Sequence, residues 1–169
     1  MFVLRYNSRM LPADYTDFFV AVLTASASFI GLLFVAMTLI TDKSGKSKKQ
    51  ITTENILAEG SYIALLDLFF VSLVALIPHA KIGIVMLLMG LLGISNAFRL
   101  AKVGLRDGVS RGILGISSIT YAVQVIYGIF ILFNQDHVIN TSLLLAIIFI
   151  LFGSALGRAW ELTGIPNHD

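Results

Sequence analysis

Few residues in this sequence have both the type and the setting to do chemistry, and Asp67 comes first. It sits inside an uncharged apolar stretch, Gly60 to Ile77. A carboxylate there costs at least ~2.5 kcal/mol to insert into lipid unless it is paired, hydrated or protonated. On a helix it shares a face with Gly60, Ala64, Val71 and Ala75, mostly small residues that let a neighbouring helix come close, while Leu65, Phe69, Leu73 and Leu76 lie on a side suited to lipid. Such an acid serves either an ion or proton path, a pairing site for a partner, or a structural hydrogen bond between helices.

A matching polar series occurs later. Ser117, Thr120, Tyr121, Gln124 and Gly128 recur at helical spacing and form one polar and small face on an otherwise apolar helix. Counted from the start of each apolar stretch, Thr120 and Tyr121 reach about the depth of Asp67, so a hydrogen bond from either hydroxyl to the carboxylate is geometrically possible. The face reads as interhelical glue or as the lining of a wet groove or pore. Two further small-residue faces, Ala21, Thr24, Ala25, Ser28 and Gly31 in the first stretch and Gly153 to Gly157 in the last, favour close helix packing.

Catalytic and metal chemistry find little footing. An intramembrane aspartyl protease needs two acids, and only Asp67 lies in an apolar stretch. No histidine lies in one, so a buried serine–histidine pair is excluded. There is no cysteine, which removes thiol chemistry, disulfides and thiolate metal sites. His79, Asp136 and His137 fall in polar connections and do not amount to a ligand set. The expectation is a non-enzyme without cofactor or metal.

The elements that position these residues follow from composition. Of 169 residues 57% are apolar and 13% charged, against roughly 25% charged in soluble domains. The long uncharged runs predict an all-α polytopic transmembrane bundle, a single domain with five spans at about 18–40, 60–77, 82–98, 112–133 and 141–157. Continuous rather than alternating apolarity argues against a barrel. The third span is short, and the alternative is four spans with a re-entrant segment. The first run is too long for a signal-peptide core and is read as a retained span, despite Arg5 and Arg9 before it. Residues 42 to 59 are expected to form a polar loop, with the second helix starting as early as Glu54, Pro78 to end the second span, and Trp160 to sit at the interface.

Five spans put Lys43, Lys46, Lys48, Lys49, Arg99, Lys102, Arg106, Arg111 and Arg158 on one side and only Arg5, Arg9 and Lys81 on the other. That bias predicts an outside amino terminus and an inside carboxyl terminus. Arg99, Lys102, Arg106 and Arg111 would meet anionic phospholipid headgroups, at about 1 kcal/mol each. The net charge of +2 does not point to nucleic acid.

The run Phe18-Phe19-Val20-Ala21, then Ala25-Ser26-Ala27, then Gly31-Leu32-Leu33-Phe34-Val35-Ala36, with Ala58-Glu59 and Pro78 further on, resembles a box in small bacterial membrane proteins of unknown function, some loosely labelled modulators of a membrane protease. Where that box usually continues with a serine and an asparagine, this chain has Thr38 and Ile40. The resemblance implies a bacterial plasma membrane and several spans, and no reaction. Function is then expected to be a structural or regulatory subunit that oligomerises or docks on another membrane protein; alternatively, a small oligomeric ion or proton pore, a class that includes partner-controlled membrane effectors, with Asp67 in its path.

Overall fold

A computed structural model describes residues 15–39, 48–78, 80–104, 111–133 and 141–163. They form five helices: α1 (Thr16–Leu39), α2 (Lys48–Leu76), α3 (Ile82–Gly104), α4 (Arg111–Phe133) and α5 (Thr141–Thr163). Among the described residues there is no strand. Each helix has 23 residues or more, which at 1.5 Å per residue gives at least about 34 Å, against a hydrocarbon core of about 30 Å. All five are long and apolar enough to cross a membrane. This includes α3, which runs unbroken past Phe98, so the re-entrant alternative is set aside.

The second element corrects the sequence reading. The expected loop over 42–59 gives way from Lys48 onward to α2, a helix of 29 residues. Lysine, glutamate and glutamine are good helix formers, so the polar segment extends the apolar one without a break. Its membrane-compatible part starts at Glu54. At the other end α2 stops at Leu76, before Pro78, and a short turn returns the chain through hydrogen bonds from Ile77 N to Val74 O (3.1 Å) and Ala80 N to Ile77 O (3.3 Å).

Helices α2, α3, α4 and α5 form a closed ring in that order, and α1 packs outside it against α2. Aromatic contacts tie α1 to α5 as well: Phe29 meets Phe152 edge to face at 5.4 Å, and Phe18 meets Phe149 at 5.9 Å. The central place of α2 explains a second correction. Leu65, expected to face lipid, is buried, because α2 is covered on several sides.

The chain is apolar outside and polar within. Phe34, Phe98, Ile119, Ile126 and Phe133 lie on the surface, whereas Asp67, Asn96, Gln124 and Arg158 have 2% exposure or less. A water-soluble domain would show the reverse. Trp160 is exposed near the end of α5, as an interfacial tryptophan should be.

The tightest seam joins α3 and α4. A Cβ added at Gly83 would lie 2.7 Å from the Gly128 carbonyl oxygen, one at Gly90 would lie 2.7 Å from Val125 Cγ2, and one at Gly93 would overlap the Tyr121 ring. Glycine is required at these places by the approach of the facing helix.

Candidate functional site

The polar residues of the ring meet at two levels. At the deeper level Asp67 of α2 is fully buried, and its Oδ1 accepts a hydrogen bond of 2.9 Å from Gln124 Nε2 of α4. The same nitrogen donates to the Met86 carbonyl oxygen of α3 at 3.2 Å. One carboxamide therefore ties three helices together. Gly60, Ala64 and Val71 are buried on the Asp67 face, as their small size and spacing predict. Asp67 Oδ2 and Gln124 Oε1 make no hydrogen bond. A cavity of about 10 Å³ bounded by Asp67, Gln124, Met86, Leu144, Ile148 and Leu151 lies beside them, about the size of one water molecule.

The α4 face expected to be polar is buried: Ser117, Thr120, Tyr121, Gln124 and Gly128 all point inward. Of that face, neither Thr120 nor Tyr121 is the residue bonded to Asp67. Thr120 Oγ1 donates to the Ile116 carbonyl of its own helix at 2.8 Å, and the Tyr121 hydroxyl makes no hydrogen bond. The acid is bonded one turn further along, by Gln124. The cause is depth: the second span begins near Glu54, the earlier of the two starts read from the sequence, so Asp67 sits deeper than counting from Gly60 implies.

The second level lies nearer the Lys48 end of α2. Arg158 of α5 is fully buried, and none of its three guanidinium nitrogens makes a hydrogen bond. Asn96 of α3 is 2% exposed, and neither its Oδ1 nor its Nδ2 is bonded. Both reach the same spot on α2: a Cβ at Gly60 would lie 2.6 Å from Arg158 Nη1 and 2.7 Å from Asn96 Oδ1. Tyr121 is within electrostatic reach of both Arg158 and Asp67 and so links the levels. The upper level is rich in donors, whereas the deeper one presents a carboxylate and a carbonyl oxygen.

Sequence reasoning missed this second level. It placed Arg158 among interfacial basic residues because it follows the last apolar run, and it passed over Asn96. A signal existed for Asn96: Gly90, Gly93, Asn96, Ala97 and Leu100 follow helical spacing, and all five are buried.

The basic residues assigned to headgroups divide. Arg99 and Lys102 are exposed. Arg99 Nη1 donates to Glu59 Oε1 of α2 at 2.6 Å, with side-chain exposures of 56% and 41%, a surface pairing the sequence reading did not include. Arg106, the Arg111 side chain, His79, Asp136 and His137 lie outside the described residues.

The small-residue faces expected to pack are turned outward within the chain. Ala21, Ser28, Gly31 and Gly153 are exposed, and Ala25 and Gly157 half-buried. A Cβ at Gly31 or Gly153 would meet nothing within 4 Å. Helix α1 instead buries Phe19, Ser26 and Leu33, seven residues apart, because bulky side chains make more contact with α2 and α5 than a smooth face does. In α5 the inward side carries Ser154 and Ala155.

No protein-family model, curated protein or solved structure matches the chain.

Proposed function

We propose that this chain is a non-enzymatic membrane subunit that assembles side by side with a second copy of itself through α1, with its amino terminus outside and its carboxyl terminus inside a bacterial plasma membrane. The observation that carries the reading is the state of α1. Of its described side chains only Phe19, Ser26 and Leu33 are buried, and the face made by Ala21, Thr24, Ala25, Ser28 and Gly31 is uncovered or half-covered. Small residues let two backbones approach closely in lipid, where packing and not water exclusion drives association. A two-fold pair places the same face on both partners. The orientation rests on the bias of basic residues, and the location on the resemblance of the first span.

The chain lacks cysteine, so single cysteines report without background. Under oxidation in native membranes, Ser28→Cys and Ala21→Cys should give a disulfide-linked dimer, and the buried Leu68→Cys should not. Only monomer at both α1 positions would sink the proposal. A mixed-size adduct would replace the second copy with another membrane protein.

A second reading, a proton path, has the Asp67–Gln124 pair and its adjoining cavity in its favour. The placement of Ser117, Thr120, Tyr121 and Gln124 inside one chain favours a path within the ring over one along an axis between copies. Liposomes holding the purified chain should then acidify under an imposed gradient, and Asp67→Asn should abolish that flux. No flux from the native chain would remove this reading.

A further inference from the structure

We propose that the ring holds a binding site for a small monovalent anion, formed by the Arg158 guanidinium, the Asn96 carboxamide and the Tyr121 hydroxyl around Gly60. The argument starts from charge. A guanidinium stays protonated at any pH a protein survives. An arginine near a helix end normally extends its head to the interface, yet Arg158 is fully buried.

Among the described residues, two acids of α2 flank this level, and both have other partners. Glu59 is held by Arg99, and Asp67 by Gln124. No Arg158 nitrogen, nor Asn96 Nδ2 or the Tyr121 hydroxyl, completes a hydrogen bond of good geometry, although the Tyr121 hydroxyl and the guanidinium lie close together. Three buried side chains therefore present unused donors to one region from α3, α4 and α5. A cation would be repelled there, and a neutral ligand would leave the positive charge unmatched. One negative charge balances one guanidinium, and the planar fork of N–H groups suits a flat oxyanion such as nitrate or a small carboxylate.

Gly60 lets the Arg158 and Asn96 side chains converge on one spot. Any side chain there would run into Arg158 Nη1 and Asn96 Oδ1, so the fourth wall of the site is bare backbone. Access is short. The exposed Glu59–Arg99 pair is the next layer outward, one residue before Gly60 on α2 and three after Asn96 on α3.

The test uses the full chain in uncharged maltoside micelles, with gluconate, too bulky for the site, replaced by nitrate at constant ionic strength. Nitrate should raise the unfolding temperature saturably. Tyr121→Phe, which keeps the ring against Gly93, and Asn96→Ala should each weaken nitrate binding severalfold, and Arg158→Gln should abolish it. No difference between nitrate and gluconate, or the same response in the three variants, would overturn the proposal. If Arg158→Gln does not fold, Gly60→Ala decides: its methyl intrudes between the Arg158 and Asn96 ends, and an unchanged nitrate response would refute the site. A response to added phosphatidylglycerol but not to nitrate would assign the donors to a lipid headgroup and reject a free anion. The site lies within one chain, so these outcomes are independent of whether α1 pairs.

Discussion

Beyond its first turn helix α1 carries only hydroxyl-bearing polar residues, whereas the ring of α2 to α5 adds a carboxylate, carboxamides and a guanidinium, and the two regions place their polar groups in opposite ways. In α1 the Thr24 hydroxyl donates to the Val20 carbonyl and the Ser28 hydroxyl to the Thr24 carbonyl, each at 2.9 Å. Both residues face outward. In the ring, Asp67, Asn96, Gln124 and Arg158 are buried, and Gln124 spans three helices. The difference lies in what each side chain can do alone. A serine or threonine satisfies its hydroxyl on its own helix, so it is free to face lipid or protein. A carboxylate, carboxamide or guanidinium has more groups to satisfy than its own helix offers and must be drawn inside. In a bundle of this kind, hydroxyl-bearing faces do not define the interior, and amide- and charge-bearing faces do.

Paired substitutions put this contrast at risk. The largest effect is expected at glycine. Gly93→Val drives methyl groups into the Tyr121 ring and should cost about 3 kcal/mol, the upper end for overpacking. Gly31→Val meets open space within the chain and should leave the stability of the dissociated monomer within about 0.5 kcal/mol of native. Reversible unfolding in mixed micelles measures both, and equal losses would erase the distinction between the regions. A smaller gap is expected for the polar groups. Gln124→Leu strips Asp67 of its donor and should cost about 2 kcal/mol, whereas Ser28→Ala, which removes a bond the helix makes to itself, should change stability by less than about 0.5 kcal/mol. A Gln124→Leu variant as stable as the native chain would mean that Asp67 needs no partner.

Much of this arrangement is legible in the amino-acid order. Long uncharged runs mark the five spans because hydrocarbon tolerates little else. Asp67 and the Ser117–Gly128 face declare themselves because polar groups at helical spacing inside such runs have to face one another. What was illegible was register. Whether Gln124 or Tyr121 meets Asp67 turns on where α2 enters the membrane, and polar helix formers blur that boundary. Arg158 misled for a related reason: a basic residue at the end of an apolar run normally points to water, and only the packing of α5 against α2 shows that this one does not. Rotation was illegible as well, since the small face of α1 and the Gly153–Gly157 segment look as suited to packing as the α3–α4 glycines do.

The burial of Arg158 bears on how the protein is made. Ribosomes deliver the helices in order, and α1, with its self-satisfied hydroxyls, has nothing to wait for. The helix bearing the guanidinium comes last of the five, after Gly60, Asn96 and Tyr121 have been synthesised. The most demanding side chain thus reaches the bilayer once its reception is assembled, and a permuted gene that began with α5 would release that helix before any shelter existed.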